Sequence, residues 1–187
     1  MRSLAARAWS ALENWLNDSP VGVIAWLKLA AKGLLVSLLW GVGASSLIIM
    51  ALPGEASIAS LWGWPEEFSF LLMAALFEEA LFRLTPLTLV MIFCRRKSIP
   101  WLVGVCAICS FLIFGWAHVP NFEGFMSYGW SITIALSLQG MLGFFWGLLF
   151  IKVAKATDVF PVTAVLMTTL IHGTYNFLIL NTLALFF

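Results

Sequence analysis

The chain has 187 residues, of which 62% are hydrophobic and 10% charged, with a formal net charge of +1. An apolar share that far above the roughly 45–50% of soluble domains excludes a soluble globular protein, and the near-neutral balance excludes an electrostatic nucleic-acid binder. The apolar runs lack the two-residue alternation of barrel strands, which leaves an all-α polytopic transmembrane helical bundle.

Residues 1–30 mix Arg2, Arg7, Glu13, Asp18 and Lys28 with Leu, Ala and Trp. Leu4, Ala8, Ala11, Leu12 and Trp15 fall near helical spacing. They predict an amphipathic helix on the membrane surface, ending near Asn17-Asp18-Ser19-Pro20. A signal peptide is the other reading, but a charged lead of about 32 residues is long for one.

About five spans follow, each near the roughly 20 residues a bilayer requires: 33–52, 68–94, 99–118, 130–151 and 160–186. They divide the chain into an N-terminal interfacial segment (1–30), a first transmembrane helix with its outer loop (31–67) and a four-helix core (68–187). Basic residues cluster at Lys28 and Lys32, at Arg95-Arg96-Lys97, and at Lys152 and Lys155, whereas the opposite connections carry Glu55, Glu66, Glu67 and Glu123. The positive-inside rule then places the N-terminus in the cytoplasm and the C-terminus outside. Trp62, Trp64, Trp101 and Trp130 stand at span ends, where interface aromatics belong. Cys94, Cys106 and Cys109 lie in or beside apolar runs, and an odd number there argues against a disulfide framework.

The second span contains Phe77-Glu78-Glu79-Ala80-Leu81-Phe82-Arg83. A charge near the bilayer centre costs about 2.5–3.5 kcal/mol on insertion scales and demands a partner or a function. Glu79 and Arg83 are spaced i,i+4 in the favourable order and neutralise one another. Glu78 is about 100° further round the helix and has no such local partner. Pro86 removes the hydrogen bond to the carbonyl of Phe82 and predicts a kink. In the fourth span Gly140, Gly143 and Gly147 form a small-residue stripe for close helix packing.

The chain has two histidines, both in spans. His118 closes Phe114-Gly115-Trp116-Ala117-His118. His172 opens His172-Gly173-Thr174-Tyr175-Asn176, so His172 and Asn176 share a helix face. At about 1.5 Å per residue, Glu78 lies about 24 Å, His172 about 18 Å and His118 about 30 Å from the cytoplasmic side. The four side chains can meet in one polar pocket in the outer half. A lone intramembrane His or Asn is commonly interhelical glue. The whole set suits hydrolysis: a desolvated carboxylate as base, an imidazole holding the water, and His with Asn as oxyanion donors. Two His and a Glu are also a plausible zinc set, which leaves Glu78, His118 and His172 as the metal alternative.

In order along the chain, Glu78-Glu79-x-x-x-Arg83, Phe114-x-x-x-His118, the glycine-bearing helix and His172-x-x-x-Asn176 resemble the CAAX protease and bacteriocin-processing (CPBP, or Abi) family of intramembrane peptidases. The resemblance covers about residues 68–186. It implies a glutamic-type endopeptidase in which Glu78 and His118 activate water, His172 and Asn176 form the oxyanion site, and Glu79 and Arg83 brace the helix. It implies no required cofactor, with zinc as the possible one. The partners implied are membrane lipids and a membrane-anchored protein or peptide substrate.

The chain is near a minimal core, shorter than the eukaryotic prenyl-protein proteases, and the basic residues place its pocket away from the cytoplasm. That favours exported substrates, such as proteins held by a C-terminal tail, as in the sorting-associated bacterial branch. It places the chain in a bacterial inner membrane. The alternatives are a CAAX-type prenyl endopeptidase and a non-catalytic membrane immunity or partner protein on the same scaffold. A transporter or proton channel is disfavoured, because no inverted repeat or paired broken helices are visible.

Overall fold

The computed structural model describes residues 3–18, 23–51, 67–93, 99–123, 127–156 and 161–183. Arg95-Arg96-Lys97, Glu55, Glu66, Trp62, Trp64, Cys94 and the Ser19-Pro20 helix stop lie outside the described residues.

The fold is an all-α polytopic bundle. Helix α1 is Leu4–Asn17, capped by the Ser3 hydroxyl on the Ala6 amide at 3.2 Å. Helix α2 is Val23–Ala51. Helix α3 runs through 68–93, α4 through 99–117, α5 is the short Pro120–Glu123, α6 is Tyr128–Ala156 and α7 is Val162–Leu183. Among the described residues, four helices are long and apolar enough to cross a membrane: Ile24–Ala51, Ile99–Glu123, Tyr128–Ala156 and Val162–Asn181. The remaining expected span, α3, is unbroken helix with Glu78, Glu79 and Arg83 in its middle. Large exposed apolar side chains such as Leu27, Phe77, Ile92, Trp101 and Leu170 form the lipid-facing surface.

Helix α2 begins well before the expected residue 33. Lys28 and Lys32 are exposed on the helix rather than ahead of it. Lysine is a good helix former, and its long apolar stem lets the charge reach the membrane surface from within a span. The boundary expected at residue 30 therefore falls inside a helix. Helix α1 docks on α6: Leu16 is fully buried in the main core cluster, and Lys155 Nζ donates to Asn17 Oδ1 at 2.6 Å. Lys152 Nζ donates to the carbonyls of Trp15 and Asp18 and stands over the Trp15 ring at 4.8 Å. These bonds satisfy carbonyls at the open C-terminal end of α1, where cations are favoured.

Helices α3, α4 and α6 each contain a π segment, Ala80–Leu84, Ala107–Ile113 and Leu136–Gly140 respectively. In each, an amide bonds five residues back: Thr85 to Ala80, Phe114 to Cys109 and Met141 to Leu136. The π segments of α3 and α6 both pack on that of α4. The first lies just ahead of Pro86, where a kink was expected. The Phe82 carbonyl that Pro86 leaves without an amide accepts the hydroxyl of buried Ser110 at 3.1 Å.

Lipid tails are as apolar as leucine, so close backbone approach must help join the spans. A Cβ on Gly140 would lie 2.8 Å from the Phe111 carbonyl, and one on Gly143 would lie 3.0 Å from Arg83 Nη2. One on Gly147 would run into Cys106 and sit 3.1 Å from Ser110 Oγ. The stripe thus seats α6 on α4. Cys106 and Cys109 are free thiols.

Candidate active site

Three helices carry the singled-out residues, and Glu78, Glu79, Arg83, His118 and His172 come together. Helix α3 supplies Glu78, Glu79 and Arg83, α4 ends on His118, and α7 supplies His172 and Asn176. Helix α7 packs along the first half of α3. Phe177 meets Phe68 edge to face at 5.4 Å, and a Cβ on Gly173 would lie 3.1 Å from Leu72 Cα.

Glu79 and Arg83 are fully buried, and Arg83 Nη1 donates to Glu79 Oε1 at 2.5 Å. The guanidinium also donates through Nε to the Gly143 carbonyl at 3.3 Å. It lies over the Phe114 ring at 4.6 Å and the Trp146 ring at 5.4 Å. A buried charge pair needs such extra partners to offset desolvation, and here they come from α4 and α6.

His172 is almost fully buried and touches both carboxylates. Its Nδ1 lies 3.1 Å from Glu79 Oε1 and its Nε2 lies 3.4 Å from Glu78 Oε2. A carboxylate only accepts, so Nδ1 carries the proton and donates to Glu79. Glu78 is open on one side, its side chain 26% exposed. Its other oxygen, Oε1, faces His118 Nε2 across 3.9 Å. The Nδ1 of His118 donates to the Phe114 carbonyl at 2.8 Å, which leaves Nε2 of the neutral ring with its lone pair toward Glu78. Phe114 also stacks beside His118 at 4.5 Å between centroids. Asn176 is half-buried one turn beyond His172.

Glu78 therefore stands between two imidazoles, while Glu79 is enclosed between Arg83 and His172. Among the described residues, no three His, Cys, Asp or Glu side chains converge as a metal-ion site. Sequence reasoning did not single out Ser37, Ser110, Trp146 or Thr168. Trp146 stacks on His172, and the Thr168 side chain stands beside Glu79. Thr168 precedes His172 by one turn and shares its face, a signal that i,i+4 spacing could have raised; Ser37, Ser110 and Trp146 meet the site only through tertiary packing.

The profile of the family described as Type II CAAX prenyl endopeptidase Rce1-like matches residues 60–178. The match takes in Glu78, Glu79, Arg83, His118, His172 and Asn176, and α1 and α2 lie outside it. No curated protein matches the chain, and no solved structure matches it.

Proposed function

The chain belongs to the Rce1-like type II CAAX prenyl endopeptidases, a family of membrane proteases, and on that premise we propose that it is a glutamic-type intramembrane endopeptidase with Glu78 as base. The observation that carries the reading is Glu78, partly exposed, between His118 and His172 at 3.9 and 3.4 Å, beside the buried Glu79–Arg83 pair. The 3.9 Å gap is too wide for a direct hydrogen bond and suits one bridging water.

In the proposed reaction Glu78 takes a proton from that water as its oxygen attacks the scissile carbonyl carbon. His118 accepts a hydrogen bond from the same water and orients it. Negative charge develops on the carbonyl oxygen, and His172 and the Asn176 amide serve as its oxyanion site. The carbon–nitrogen bond then breaks, and the proton held by Glu78 passes to the leaving amine. Glu79 and Arg83 fix the helix and the ring of His172. Residues 68–187 are the catalytic core in this reading.

No metal step is invoked. Glu79 Oε1 is committed to Arg83 and His172, and Glu78 as a ligand would cease to be a free base. The basic residues at Lys28, Lys32, Lys152 and Lys155 support a site toward the outer face, and the bacterial inner membrane follows from the resemblance to the sorting-associated branch. Membrane-anchored exported proteins are then the substrates. A second reading, a prenylated CAAX tail cut on the cytoplasmic side, is favoured by the family match itself.

Purified protein in proteoliposomes, offered a farnesylated CAAX peptide and a protein anchored by a C-terminal helix, tests both. Cleavage of either reporter by the native chain and not by Glu78→Gln supports the mechanism, and the reporter cut assigns the substrate class. Normal cleavage by Glu78→Gln overturns it.

A further inference from the structure

Trp146, in α6, is fully buried. Its indole lies on the imidazole of His172 with centroids 3.9 Å apart and planes inclined by 31°. The indole N–H donates to Ser37 Oγ of α2 at 2.9 Å. Ser37 is fully buried too, and its hydroxyl donates one turn back to the Gly33 carbonyl at 2.9 Å. A hydroxyl has one proton. Gly33 takes it, so the lone pairs face the indole and the direction of both bonds is set. Tyr175 closes another side of the indole, edge to face at 5.6 Å. A Cβ on Gly41 of α2 would strike the Tyr175 hydroxyl. Helix α2 lies outside the family match, yet it is packed against the side chain that stacks on His172.

We propose that Ser37 and Trp146 are positioning residues for His172, fixing the tilt of its ring so that Nε2 stays aimed into the site. The proposal rests on the reading above, in which His172 serves the reacting carbonyl. The contacts of Nδ1 with Glu79 and of Nε2 with Glu78 hold the ring along one edge and leave it free to rock about that edge. A flat aromatic face at stacking distance removes the rocking. The Ser37 bond keeps the indole from turning about its own side-chain torsion. A displacement of about 1 Å at a reacting group can cost about 10²-fold in rate, so the pair acts on turnover and not on substrate affinity.

The test uses full-length protein in detergent micelles and a fluorogenic farnesylated CAAX peptide, with variants compared at equal folded concentration. Trp146→Phe keeps a flat face and loses the N–H; Ser37→Ala loses the acceptor. Each should lower kcat about tenfold with KM changed less than about twofold. Because the two are links of one chain, the double variant should be no slower than the worse single one. A raised KM with kcat intact, or losses that multiply, overturns the proposal.

A second measurement needs no turnover. His118→Gln leaves His172 as the sole imidazole, whose ring protons the indole should shift upfield in the NMR spectrum. Adding Ser37→Ala should shrink that shift; an unchanged shift overturns the proposal. If the native chain leaves the peptide uncut, the enzymatic reading has failed for that substrate, while the ring-proton shift still decides whether Ser37 and Trp146 set the ring.

Discussion

His172 and Arg83 share one acceptor: Oε1 of Glu79 takes Nη1 of Arg83 at 2.5 Å and Nδ1 of His172 at 3.1 Å. The brace of the acidic helix and the orientation of the imidazole therefore depend on the same oxygen. Glu79 is structural and site-forming at once, which separates it from Glu78 in its response to substitution.

Glu78→Gln keeps size and shape at a half-open position, so the protein should accumulate normally and cleave nothing. Glu79→Gln leaves Arg83 buried without a counter-ion, and breaking a buried pair costs about 3–5 kcal/mol. It should lower the melting temperature in detergent as well as activity. Equal melting temperatures for the two variants would contradict the separate roles.

Ser110 stands in for the amide that Pro86 lacks. Ser110→Ala should cost about 1–3 kcal/mol, the price of an unsatisfied buried carbonyl. Pro86→Ala returns an N–H beneath Phe82, so the double variant should be more stable than Ser110→Ala alone. Thermal melts of the native chain and the three variants measure the coupling, and additive losses would show that the hydroxyl is not compensating for the proline.

Gly143→Ala sets a methyl against Arg83, the Phe114 ring and the Ser110 carbonyl. It should destabilise by about 1–3 kcal/mol through overpacking and depress cleavage by moving Phe114 and hence His118. Gly43→Ala and Gly104→Ala place a methyl in open space and should leave both properties unchanged. Similar effects at the three glycines would count against α6 being seated by its glycine stripe.

Orientation has its own readout. A reporter fused after Phe187 should register outside, and cysteines placed at Ser98 or Thr157 in a cysteine-free background should react only from the cytoplasmic face. The reverse labelling would turn the site toward the cytoplasm and select the prenylated CAAX substrate.

Metal dependence is checked by elemental analysis and prolonged chelation. The proposed mechanism expects sub-stoichiometric zinc and cleavage that survives the chelator. Stoichiometric zinc whose removal stops cleavage, and whose return restores it, would make Glu78, His118 and His172 ligands.

The cluster of Glu78, Glu79, Arg83, His118 and His172 was legible because its signals are local. The i,i+4 spacing of Glu79 and Arg83 and of His172 and Asn176 follows from helical geometry, and ionisable groups in apolar runs stand out by type. What stayed hidden depends on contacts between distant segments. Ser37 is one more serine in an apolar helix until Trp146 reaches it, and Lys152 reads as a topology signal until α1 folds back onto it. The double engagement of His172 was equally invisible, since nothing in its own helix indicates that two carboxylates of α3 lie along one ring edge. The start of α2 was misplaced because lysines were read as a boundary, although they lie on an exposed helix face.

The π segments carry a consequence for insertions and deletions. Each holds one residue more than an α-helix of the same rise requires, so each resets the angular phase of everything beyond it. Removing a single residue from 80–84, 107–113 or 136–140 would let an ordinary helix close up, still long enough to span the bilayer. The two halves would keep close to their present phase, because the wide turn is what takes up the extra residue. Removing a residue from an ordinary α-helical stretch would instead turn one half against the other by about 100°, so a deletion within 115–117 would turn His118 off Glu78. The spans would tolerate a shortening at the π segments; elsewhere the alignment of the groups they carry would not.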